Sequence, residues 1–134
     1  MKKVISVAIC VMFLSACVPV SNYEESRVVV TKTRPLSETE KLIIQESVKA
    51  KLKDPDSAIF RLPPVNENGA PDSYCGLVNA KNSYGGYTGF TPFAATLMRM
   101  DGEIKDSSSI LPAASRHGIR AMYSMCEKNG YLFQ

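Results

Sequence analysis

Three things are scarce in this chain, and each scarcity removes a class of function. Histidine occurs once, as His117. A metal centre draws on several His, Cys, Asp or Glu ligands, so a lone imidazole leaves no metal site to expect. A basic excess is also missing. The formal charge of +3 rests on 16 Lys and Arg against 13 Asp and Glu, and Lys2 and Lys3 belong to the extreme N-terminus. Without those two, 14 basic side chains face 13 acidic ones. Nucleic-acid binding relies on a concentrated basic footprint, so no nucleic-acid partner is expected. Long apolar runs are absent too. Residues 4–14, interrupted by Ser6, are about half of the roughly 20 residues that a helix needs to span a bilayer.

What is present at the N-terminus has the parts of a secretory signal peptide. Met1-Lys2-Lys3 is positively charged, residues 4–14 are apolar, and small Ser15 and Ala16 precede Cys17. The stretch Leu14-Ser15-Ala16-Cys17 resembles the lipobox of bacterial lipoproteins. That resemblance implies a signal peptide over 1–16, cleavage before Cys17, and diacylglycerol and palmitate-type acyl chains on Cys17. No cofactor besides this covalent lipid is expected. One acyl chain binds a membrane reversibly, whereas two or three hold firmly, at about 0.8 kcal/mol per buried methylene. Val18 rather than Asp follows the cysteine, which in enteric-type lipoproteins implies the outer membrane, facing the periplasm.

The four cysteines then divide by fate. Cys10 leaves with the signal peptide and Cys17 carries lipid, leaving Cys75 and Cys126. An even pair in an oxidising compartment reads as a disulfide, with buried free thiols or half of a metal site as the alternatives.

Residues 17–35 read as a lipidated, flexible tether, with an edge strand at Val28-Val29-Val30-Thr31 as the other reading. A single small domain follows over 36–134, with no internal repeat or low-complexity tract. Ser37-Glu38-Thr39-Glu40 has capping-box spacing, and Ile44, Val48 and Leu52, widened by Ile43 and Ala50, make a helical stripe. Pro55 predicts a helix end near Lys53. Strands are predicted over 57–62, 74–81 and 90–100, with a polar loop over 66–71. Asp101-Gly102 signals a type I′ hairpin back through Glu103-Ile104, and 106–109 reads as a loop. A second helix is predicted over 112–129 on the stripe Ile119, Met122, Tyr123 and Cys126, closed by Gly130. The expected fold is α+β: N-terminal and C-terminal helices packed on an antiparallel sheet of three or four strands, with one disulfide.

Candidate chemistry is thin. Gly85-Gly86-Tyr87-Thr88-Gly89 lacks the lysine and hydroxyl of a phosphate loop and does not open a helix. Tyr84, Tyr87 and Phe90 surround these glycines, with Asn79, Lys81 and Asn82 just before them. Aromatics on a tight turn offer rigid contact area, which suits a protein or glycan partner. No nucleophile elbow accompanies His117. The lysines at 41, 49, 51 and 53 read as a solvated helix face.

Two blocks carry a further resemblance. Leu52-Lys53-Asp54-Pro55-Asp56-Ser57-Ala58-Ile59-Phe60 and the run from Cys75-Gly76-Leu77-Val78-Asn79-Ala80-Lys81-Asn82 through Gly85-Gly86-Tyr87-Thr88-Gly89-Phe90, with Phe93 beyond, are similar to a family of small, uncharacterised bacterial envelope proteins. The resemblance implies a helix running into an Asp-Pro turn and then a small sheet, and it implies no activity. The expected function is a non-enzymatic, lipid-anchored module that binds an envelope protein through the 79–90 surface. Peptidoglycan binding and a small hydrolase are the alternatives.

Overall fold

In the computed structural model residues 27–133 are described. The signal peptide, Cys17 and the first part of the expected tether lie outside the described residues. Among the described residues, no helix is long and apolar enough to cross a membrane.

Helix α1 (Glu38–Lys49) starts where the capping box predicts. Ser37 Oγ accepts from Glu40 N at 3.2 Å, and the Glu40 carboxylate accepts from Ser37 N at 2.9 Å. Ile44 and Val48 are fully buried, whereas Ala50 is exposed. The helix ends short of the expected residue 53. Lys51 N and Leu52 N donate to Val48 O and Lys49 O, a tightened last turn that turns the chain off the axis before Pro55.

Strands β2 (Ile59–Arg61), β4 (Ser73–Asn79), β5 (Thr91–Met100) and β6 (Glu103–Ile110) form one antiparallel sheet in the order β2-β4-β5-β6. Strand β2 is shorter than predicted because a 3₁₀ turn, Pro55–Ser57, occupies the start of that stretch. The β5–β6 hairpin turns on Asp101 and Gly102, with φ of 52° and 81°, as the type I′ signal requires.

The loop expected over 106–109 is instead part of β6. Serine is a poor strand former, but these serines have a tertiary role. Ser107 Oγ donates to Ile43 O at 3.2 Å, and Ser109 Oγ donates to Ser47 O at 2.6 Å. Their small side chains let α1 lie close to β6 while the hydroxyls meet its carbonyls.

Paired strand residues point to the same side and neighbours alternate. Ser109 pairs with Ala95, which pairs with Tyr74, so Tyr74 and Phe93 share the face covered by α1. Cys75 and its partner Ala94 point to the opposite face. Helix α2 (Arg116–Lys128) lies there, joined through the Cys75–Cys126 disulfide at a Cα separation of 5.8 Å. Strand β4 is buried on both faces for this reason.

Helix α2 begins later than the predicted residue 112. Ser115 caps it, accepting from Gly118 N at 3.1 Å, and the entering chain folds over Gly118, where a Cβ would stand 2.6 Å from Ala113 O. The helix closes on Gly130 (φ 85°), with Gly130 N donating to Glu127 O and Tyr131 N to Cys126 O. This is the Schellman arrangement.

Two further expectations are corrected by a small second sheet. Strand β1 (Thr33–Arg34) pairs antiparallel with β3 (Val65–Asn66). From Val28, whose N–H donates to Lys128 O, the expected tether is held against the domain. Asn66, expected in a polar loop, is buried, and its side-chain amide donates to Asn129 O at 2.9 Å. A buried amide is stable here because its partners are backbone groups fixed by α2's end.

Candidate functional site

At one end of the sheet, β4 passes into β5 through residues 80–90. Two side chains and a backbone bridge fix the shape of this connection. Asn79 Oδ1 accepts from Gly89 N at 3.2 Å across its base. Lys81 and Tyr87 form an isolated antiparallel bridge above it. At the tip, Asn82 Oδ1 accepts from both Tyr84 N (2.9 Å) and Gly86 N (3.2 Å), while Asn82 N donates to Gly86 O at 2.9 Å. Gly85 takes φ of 79°, which a side-chain-bearing residue adopts only with strain. The glycines therefore serve a tight hairpin, as their spacing without a phosphate-loop lysine implies.

A bracket from outside the loop holds it upright. Lys81 N donates to Ser57 Oγ at 2.8 Å, and the Tyr87 hydroxyl donates to Ser57 O at 2.9 Å. The Asp54-Pro55-Asp56-Ser57 turn and the glycine-rich turn thus meet at one serine, although 30 residues separate Ser57 from Tyr87. The contact gives both turns a structural reason: each holds the other in place through Ser57.

The six surface candidates separate into two groups. Asn79, Tyr87 and Phe90 support the loop: Phe90 lies half-buried under the Arg61 guanidinium, 4.0 Å from its ring centre, and Tyr87 is 46 % exposed with its hydroxyl engaged. Lys81, Asn82 and Tyr84 face outward into a cleft. Tyr84 is 97 % exposed, the most solvent-exposed large side chain among the described apolar and aromatic residues.

The cleft has a volume of about 500 Å³. Leu52, Val78, Leu111 and Ile119 supply its apolar lining, and exposed Lys51, Lys53, Lys81 and Tyr84 border it. Of these residues, only Lys81 and Tyr84 are site candidates on the sequence alone. Val78 lies on β4, and the rest come from the chain just past α1, the passage after β6 and the first turns of α2. No local pattern marks them, because only the fold brings these three stretches to one end of the sheet. Ser57 was missed for the same reason.

His117 is exposed on the first turn of α2 and makes no hydrogen bond or ion pair among the described residues. No nucleophile or carboxylate orients it. Among the described residues, no group of three or more His, Cys, Asp or Glu is placed to hold a metal ion. Glu40, the carboxylate with the strongest environment, is structural. Arg34 grips it through two bonds of 2.6 and 2.7 Å, and this pairing, aided by Ser37 N and Ile104 N, lowers its pKa to about 2.

Comparison of the chain with family profiles, curated proteins and solved structures finds no match.

Proposed function

We propose that this chain is a lipid-anchored protein of the cell envelope that binds another protein through the 80–89 turn and the cleft beside it. The reading places the lipid on Cys17 and the domain on the periplasmic side of the outer membrane. A Cys17→Ser chain is expected to take up no labelled palmitate and to stay unprocessed, and normal labelling would refute the anchor.

The observation that carries the binding reading is Tyr84. A tyrosine almost fully in water has no role in stabilising its own fold, yet seven backbone and side-chain bonds of 2.8–3.2 Å hold the turn that presents it. Pre-ordered aromatics of this kind give contact area at low entropic cost. Tyr84→Ala is expected to abolish co-purification of the envelope partner while leaving thermal stability within about 0.5 kcal/mol, as for a surface substitution. Undiminished co-purification would rule the turn out as the contact.

A second reading rests on the same ring. Tyr84, with Tyr87 on the same turn, offers a face on which a sugar could stack, which favours a peptidoglycan strand. Sedimentation with purified peptidoglycan separates the two: retention lost in Tyr84→Ala favours glycan, and no retention removes it. A non-enzymatic role is preferred to a small hydrolase because, among the described residues, His117 has no partner to position it.

A further inference from the structure

The lysines at 41, 49, 51, 53 and 81 are not one solvated set. Lys41 and Lys49 pair with Glu38 and Glu46 one helical turn away, at 2.7 and 3.1 Å. Lys51, Lys53 and Lys81 have no ion-pair partner among the described residues; Lys81 Nζ lies 5.8 Å from the Tyr87 ring and meets no carboxylate. All three line the cleft, and no Asp or Glu lines it with them. A chain whose charges otherwise balance thus gathers three unpaired cations around an apolar floor.

We propose that the occupant of this cleft is an acidic segment of a partner protein, with an apolar side chain seated over Leu52, Val78 and Ile119 and flanking carboxylates on Lys51, Lys53 and Lys81. The proposal rests on the binding-module reading and adds the partner's chemistry to it. The apolar floor supplies burial, and Tyr84 stands at the rim with its ring free to meet the partner. The lysines draw in carboxylates and repel basic segments, so they set encounter rate and choice of partner more than affinity. Lysine suits this work because its ammonium is a mobile point charge that accepts carboxylates from several directions.

The test selects random-sequence peptides displayed on phage against the full-length chain in detergent, in parallel with Tyr84→Ala and with the triple charge reversal Lys51→Glu, Lys53→Glu, Lys81→Glu. Circular dichroism of each variant checks the fold. The expected result is enrichment of peptides with Asp or Glu beside Leu or Phe. They should bind the triple variant about tenfold more weakly or worse, and wild-type binding should weaken with salt. Enriched peptides that are lost in Tyr84→Ala but are uncharged, or survive the triple reversal, would overturn the acidic occupant and leave the binding module standing. Peptides indifferent to Tyr84→Ala, or no enrichment at all, would overturn both. Binding to phosphatidylglycerol vesicles that the triple reversal abolishes, without peptide binding, would assign the lysines to lipid and also overturn the proposal. Should the triple reversal fail to fold, the single Lys81→Glu chain carries the same comparison with a smaller expected loss.

Discussion

Glu40 shows how much one side chain organises. Its carboxylate caps α1, holds Arg34 of β1 and accepts from Ile104 N at the start of β6, so three elements converge on one charge. The Arg34 guanidinium is the largest cause of its pKa of about 2, against an ordinary value of 4.5. A carboxylate with a depressed folded pKa contributes stability that is full above its unfolded pKa and is lost as pH falls through the folded one. At neutral pH, Glu40→Gln is expected to cost about 2–3 kcal/mol. Urea titrations of both chains should show that difference shrinking as pH falls from about 4.5 to 2; a pH-independent gap would mean the charge is not responsible. Tyr131 is a second such residue. Its hydroxyl, with a pKa pushed up to about 12 by burial, donates to Ser73 O and accepts from Asn66 N. Tyr131→Phe leaves that buried N–H without its partner and is expected to cost about 1–3 kcal/mol in the same titration.

At the scale of elements, β4 is the most constrained part of the fold. Gly76 lies under Phe93, and a Cβ there would stand 2.6 Å from the Phe93 ring. Gly76→Ala is expected to destabilise by about 2 kcal/mol, since a fully buried ring must shift; thermal melting of the two chains measures it. A midpoint unchanged by the substitution would show that the sheet yields more easily than this packing implies. Elements written in local chemistry were legible in the sequence. The Ser37 capping box, the Asp101-Gly102 turn and the Gly130 cap each depend on residues a few positions apart. What was not legible depends on distant partners. Ser107 and Ser109 look like loop residues until α1 lies over them, and Thr33–Arg34 looks like tether until Val65–Asn66 lies beside it. The candidate turn was visible from its aromatics and glycines. Its cleft was not, because Lys51, Lys53, Leu111 and Ile119 meet it only in the folded chain.

For the molecule as a whole, the disulfide joins the layer that carries α2 to the centre of the sheet. Cys75 and Cys126 stand 51 residues apart, and closing a loop of that length stabilises by about 4 kcal/mol in the chain-entropy model. Cys75→Ala with Cys126→Ala should lower the unfolding free energy from urea titration by that order, with a lower midpoint, and wild type in reductant should fall to meet it. A midpoint insensitive to reductant would mean that packing alone seats α2. The same architecture gives the proposed site its stiffness. The turn springs from β4, which is buried on both faces and tied to α2 by the disulfide, and Ser57 braces it from the side.

The most direct measurement is photo-crosslinking in living cells, from a crosslinker placed at position 84 of the full-length chain. A single discrete envelope protein should be captured from 84, and not from an exposed control position at Ser108, on the far edge of the sheet. Capture of nothing from 84, or of the same set of proteins from both positions, would contradict the claim that this turn is a built contact surface.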